Sequence, residues 1–179
     1  TLDLYYAAFR IPDFLFVAIG ALVSVYILIP ELARRSGVEQ KDYIDTIIGG
    51  FSLLATVICG SAFVFAPFIL TLLFPKFVSS GLLPQLITLT RIMLLQPVFF
   101  GFSNILAAIT QSRQRYLLYA ISPLLYNLGI IIGVVLFYPL LGVSGLAWGV
   151  VFGAALHAGI QLPSIVSDGY LTRVPRLFD

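Results

Sequence analysis

The sequence predicts an all-α integral membrane protein, a polytopic bundle of about five transmembrane helices. Composition, segment length and charge placement carry that expectation. Of 179 residues, 60% are hydrophobic and only 10% charged, and the mean hydropathy is +1.04. A soluble domain runs nearer a quarter charged, and more than half of a small folded protein's surface stays in contact with its medium. Here that medium must be acyl chains. The formal charge of +2 comes from ten basic and eight acidic residues that sit mostly between apolar stretches, so the pattern reports topology and no nucleic-acid footprint.

A spanning helix needs about 20 largely apolar residues, and only helices or closed barrels satisfy every backbone polar group inside a bilayer. Five stretches qualify: 4–29, 43–66, 83–110, 116–137 and 143–162. None shows the alternation of a barrel strand. Arg34-Arg35-Ser36-Gly37 closes the first. The segment from Phe74 to Gly81 separates the second from the third. Gln111 to Arg115 makes the next connection, and Tyr138-Pro139 to Gly142 reads as a tight turn. The apolar segment 67–74 is too short to span alone, which leaves a kinked extension of the second helix or an interfacial helix. The expected organisation is a bundle over 1–165 and a loop or tail over 166–179.

Basic residues mark the cytoplasmic side of a membrane protein. Arg34, Arg35 and Lys41 fall in the loop at 34–42, Arg113 and Arg115 in the loop at 111–115, and Arg173 and Arg176 in the tail. The other side has Lys76, with Arg10 near the start. The expected topology is therefore multi-pass, with both basic loops and the tail cytoplasmic. Thr1 then falls on the outer side, and the chain reads as an excerpt of a longer protein with one further span upstream.

Polar groups inside a membrane are expensive and are functional candidates for that reason. Asp3, Arg10 and Asp13 cluster toward one end of the first span. Asp3 and Arg10 are seven residues apart, two helical turns along one face, and are candidates to line a common cavity; interfacial anchoring is the structural alternative. Arg91, Asn104, Asn127, His157 and Gln161 fall within later spans. Each has a structural reading: snorkelling or pairing for Arg91, hydrogen bonding across helices for the rest. His157, the single histidine, also has a proton-relay reading.

Gly145, Gly149 and Gly153 recur every four residues on one face, as do Gly129 and Gly133, and small residues at that spacing let helix backbones approach closely. Pro12, Pro30, Pro67, Pro97 and Pro123 punctuate the spans, each removing a backbone donor. Cys59 is alone, so there is no intrachain disulfide framework and no metal-ligand pair. No Ser-His-Asp set, paired carboxylates, metal spacing or phosphate-cradling loop is present. The expectation is a protein that is not an enzyme and uses no cofactor.

Several ordered stretches then resemble one family. The run from Asp3 to Asp13 (Asp-Leu-Tyr-Tyr-Ala-Ala-Phe-Arg-Ile-Pro-Asp) resembles the opening of the second transmembrane helix of the MurJ/MviN lipid II flippases. Ile29-Pro30-Glu31-Leu32-Ala33 resembles the motif that ends that helix, and the run Ala120 to Asn127 resembles the proline and asparagine motif of the fifth. Gly145-Leu146-Ala147-Trp148-Gly149 and Gln161-Leu162-Pro163 resemble the sixth.

The resemblance implies the multidrug/oligosaccharidyl-lipid/polysaccharide exporter superfamily, with two six-helix lobes around a central cavity and alternating access. This chain corresponds to helices two to six of the first lobe. The implied partners are the lipid bilayer, a lipid-linked cell-wall precursor, and the first helix and second lobe of the same protein. The implied location is the bacterial inner membrane. The family typically carries an arginine pair and an acidic-glycine step where this chain has Phe16, Val17, Ala21 and Leu22. Asp3 and Arg10 match the family's acidic and basic positions. That departure favours two alternatives, a flippase for another lipid-linked polysaccharide and a drug antiporter of the same superfamily, and the glycine faces leave a third open, a non-transporting membrane scaffold that recruits partners through them.

Overall fold

The structure, a computed structural model, describes residues 2–170. The described residues are helical with no strand: α1 Leu2–Leu22, α2 Val25–Ala33, α3 Gly37–Leu73, α4 Pro75–Ser79, α5 Leu83–Met93 and α6 Leu95–Ser112. After them come α7 Tyr116–Ile132, a π-helical segment Gly133–Phe137, α8 Tyr138–Leu141, α9 Val143–Gly159 and α10 Leu162–Ser167. These combine into five stretches long and apolar enough to cross a membrane, Leu2–Ala33, Gly37–Leu73, Leu83–Ser112, Tyr116–Leu141 and Val143–Ser167.

The span centres agree with the hydropathy reading, and the edges differ for identifiable reasons. Helix α3 starts at Gly37, earlier than 43, because a polar first turn carrying Glu39 precedes the apolar run. It continues without interruption through Pro67 to Leu73. The segment 67–74 is therefore an extension of the second span and no separate interfacial helix. The expected turn at Tyr138-Pro139 is helical, since Pro139 occupies the first turn of α8 where its missing N–H costs nothing. The reversal falls at Gly142 instead, whose φ of 60° and ψ of −141° suit glycine. Helix α10 runs past 165 to Ser167. Arg173 and Arg176 lie outside the described residues.

Prolines follow three of the four interruptions within spans: Pro97 lies three residues past the break at Leu94, Pro139 falls in the first turn after the π segment, and Pro163 in the first turn after Ile160–Gln161. Pro12, Pro30, Pro67 and Pro123 sit inside helices that carry on through them. The breaks come at Val23–Ser24, at Leu94, in the π segment and around Ile160–Gln161.

Two apolar clusters divide the bundle. One joins Leu4, Ala7, Ala8 and Ile11 of α1 to Ala66 and Leu70 of α3 and to Leu86, Leu89 and Met93 of α5. The other joins Leu28 and Leu32 of α2 to Ile44, Ile48 and Phe51 of α3, to Ile105, Leu106 and Ile109 of α6, and to Ile165. The unbroken α3 contributes to both, while the breaks at Val23–Ser24 and Leu94 let the first and third spans redirect their buried faces.

Candidate functional site

Helix α1 presents two unlike faces. Leu4, Ala7, Ala8, Ile11 and Ile19 are buried. Asp3, Tyr6, Arg10, Asp13 and Val17 are exposed. Their spacing of three, four and three residues, then four, follows one side of a helix turning every 3.6 residues. The structure thus holds Asp3 and Arg10 on one exposed face and adds Asp13 to it. A charged side chain near the middle of a bilayer costs roughly 2.5–3.5 kcal/mol on insertion scales. Asp3, Arg10 and Asp13 lie toward one end of the span, on a side of α1 that also exposes Leu2, Tyr6, Phe14 and Val17.

Beside this face the residues turn aromatic. Phe16 packs on Phe100 of α6 with ring centroids 5.3 Å apart, and Phe100 meets Tyr126 of α7 at 5.0 Å and the His157 ring at 5.2 Å. Phe16 stands where the resemblance implies an arginine, and here it completes an apolar junction between helices. Val17 and Ala21 are exposed; the Leu22 side chain lies outside what is described. Asn104 lies beside Gly20, its Nδ2 3.8 Å from where a Cβ on that glycine would fall. Asn127 is exposed on α7, apart from the polar network below.

His157 and Gln161 belong to a chain of hydrogen bonds between the third and fifth spans. Gln161 is fully buried; its Nε2 donates to Ser103 Oγ at 2.8 Å and its Oε1 accepts from Thr110 Oγ1 at 3.3 Å. Ser103 Oγ lies 2.7 Å from His157 Nδ1. The same hydroxyl also reaches the His157 carbonyl at 3.5 Å, so Ser103 joins the amide, the ring and the backbone of the fifth span. Ser103 and Thr110 were not singled out by sequence. Their signal was present, since 103 and 110 are one heptad apart and 157 and 161 one turn apart, which puts two polar pairs on facing helix sides.

Arg91 has a defined partner. Pro67 has no N–H, so the carbonyl four residues earlier, that of Phe63, loses its helical donor. The Nε–H of Arg91 donates to that carbonyl at 3.1 Å, and the guanidinium lies 4.6 Å from the centroid of the Phe63 ring. The proline of one span and the arginine of the next are thus two halves of one arrangement.

The glycines bring α7 and α9 to backbone contact. A Cβ on Gly129 would overlap Gly153, one on Gly133 would overlap Gly149, and one on Gly145 would overlap the Phe137 carbonyl.

The basic loops converge at one end of the bundle. Arg113 donates to Gln40 Oε1 at 3.0 Å and to the Tyr170 hydroxyl, and Tyr170 donates to the same Gln40 oxygen at 2.6 Å. Arg115 pairs with Asp168 at 2.9 Å. Arg35 bridges Glu31 at 2.5 Å and Glu39 at 3.6 Å, and the Glu31 bond holds the guanidinium's proton more firmly than usual. Among the described residues no group of three or more His, Cys, Asp or Glu is placed to hold a metal ion.

Comparison with known proteins places this geometry. A family model described as lipid II flippase MurJ matches residues 1–178. A curated lipid II flippase MurJ from Burkholderia cenocepacia is 29% identical, over 91% of this chain and 33% of the relative. A solved structure described as lipid II flippase MurJ in an inward closed conformation superposes with a TM-score of 0.76 at 24% identity, over 97% of this chain and 37% of that one. That likeness speaks to the fold. The chain spans about a third of the length of the relatives it matches.

Proposed function

Since the chain belongs to the lipid II flippase MurJ family, we propose that it works as part of the first lobe of a flippase that moves a lipid-linked cell-wall precursor across the bacterial inner membrane. The observation that carries this reading is the exposed face of α1, where Asp3, Arg10 and Asp13 stand on a helix whose opposite face is packed. A pyrophosphate and its sugars need a polar route, and a cationic side chain on that route makes charge-assisted contacts to phosphate. The polyprenyl tail stays in lipid. Alternating access, the second lobe and the precursor itself belong to this proposal.

The sidedness belongs to it as well: the end where Gln40, Arg113, Arg115 and Asp168 gather is cytoplasmic, by the excess of arginine and lysine in its short loops. The function follows from transport and calls on no bond-making chemistry.

The test is complementation. The full-length protein is expressed in cells depleted of their own lipid II flippase, and outward delivery of the precursor is followed. Restored delivery that Arg10→Glu abolishes, with the variant present in the membrane at wild-type level, is the expected result. Failure of the wild-type protein to restore delivery rejects the cargo. One observation favours a second reading, a flippase for another lipid-linked polysaccharide or a drug antiporter: Phe16 is packed on Phe100 where a phosphate-binding arginine is expected. Rescue of a polysaccharide-export defect in place of the cell-wall defect would select it.

A further inference from the structure

A groove of about 680 Å³ opens on the side of the bundle between α3 and α9, floored by the α5–α6 junction. Its volume falls within the roughly 300–1,000 Å³ of ligand sites. Gly60 and Phe63 form one wall, Trp148 the other, and Leu95 and Val98 lie along the floor, with Arg91 as its one charged residue. Arg91 lies eight residues beyond Leu83, the first residue of α5, or about 12 Å along the helix axis. Its Nε is committed to the Phe63 carbonyl. Among the described residues no carboxylate pairs with it. A guanidinium has five donors and keeps its charge at any physiological pH, so the groove joins an apolar trough to a cation that lacks an anion.

We propose that this groove is a binding site for an anionic glycerophospholipid, its phosphodiester on the Arg91 guanidinium and one acyl chain along Leu95, Val98 and Trp148. The shape takes a chain and the charge takes a phosphate. A neutral lipid satisfies the first and leaves the second unmet, which is the basis of selectivity. The floor lies where α5 ends and α6 begins, with Leu94, Leu95 and Val98 lining it. The site is separate from the charged face of α1 and does not depend on which cargo the protein moves.

Gly60 provides a way to close the groove without touching Arg91. A Cβ built there meets nothing within 4 Å, so Gly60→Leu projects into the trough and not into a neighbouring helix. The full-length protein, Gly60→Leu and Arg91→Gln are purified in detergent and delipidated. Each is then titrated with phosphatidylglycerol and, separately, with diacylglycerol of the same chains, and retained lipids are counted by native mass spectrometry. Wild type is expected to hold one more phosphatidylglycerol than either variant, with apparent affinity at that site about tenfold above the variants, and to show no matching diacylglycerol. Equal phosphatidylglycerol occupancy in wild type and Gly60→Leu overturns the site, as does equal retention of diacylglycerol. Should Arg91→Gln fail to fold, Gly60→Leu alone decides.

Discussion

Single residues show how this chain meets the requirement that every backbone polar group in a membrane find a partner. Arg91→Ala leaves the Phe63 carbonyl without the Arg91 donor, and a polar group left unpaired away from water costs about 1–3 kcal/mol. Pro67→Ala gives the helix its own N–H back at that carbonyl. The expected outcome is non-additivity: Arg91→Ala lowers the melting temperature of the purified protein less in the Pro67→Ala background than in wild type, with an interaction of roughly 1 kcal/mol. Strict additivity would mean that the contribution of Arg91 does not depend on Pro67, which overturns the pairing. Gln161→Leu is the parallel test of the buried amide. It removes the donor to Ser103 and the acceptor for Thr110, and its expected cost is about 0.6–2 kcal/mol in a reversible unfolding assay. The sequence marked both Arg91 and Gln161 as intramembrane polar residues but not their partners. For Arg91 the partner was legible in principle, four residues before a proline. For Gln161 it required knowing which faces of the third and fifth spans meet.

Among the elements, hydropathy located all five spans because length and apolarity are what lipid demands of a helix. The interruption at Val23–Ser24 was not legible, whereas the one at Leu94 was marked by Pro97 three residues on. Apolar residues flank Val23–Ser24 on both sides, and an apolar run reads alike whether or not one hydrogen bond in its ladder is missing. Proline alone did not separate breaks from continuous helix, since a membrane helix tolerates it wherever a neighbour supplies the lost donor, as Arg91 does for the carbonyl four residues before Pro67. The α7–α9 pair tests packing at this scale. Helix α7 buries little besides Ser122 and Gly129, so its attachment rests on the approach to α9. Gly149→Leu places side-chain atoms where the Gly133 backbone lies and is expected to destabilise the protein by more than the roughly 1–3 kcal/mol typical of overpacking. Gly60→Ala, facing open space, is expected to stay within about 0.5 kcal/mol. Thermal unfolding of the two variants side by side checks both.

For the whole molecule, the bundle is an object with two ends and at least two distinct flanks. One end gathers loops distant in sequence, through Gln40 with Arg113 and Tyr170 and through Arg115 with Asp168. One flank is the charged face of α1, and another is the groove holding Arg91. The charged flank is where the functional proposal is most exposed to test. Cysteines are placed singly at Asp3, Arg10 and Asp13, and for comparison at the packed positions Ala8 and Ile11, in the full-length protein with its native cysteines replaced. A membrane-impermeant maleimide is then applied to intact cells and to inverted vesicles. A substrate cavity requires the three charged positions to react in at least one orientation and the packed ones in neither. Alternating access requires more, namely that Arg10 and Asp13 react from both sides, because a route open in turn to each side wets the same residues from each. Reaction from one side only at all three positions would reduce the charged face to an interfacial anchor, the structural reading that the spacing of Asp3 and Arg10 already allowed. The same vesicles read the topology. Single cysteines in the loop at 34–42 and at 111–115 are expected to label only in inverted vesicles and one beside Lys76 only in intact cells. The opposite pattern would place the arginine-rich end outside, against the charge bias that orients short loops.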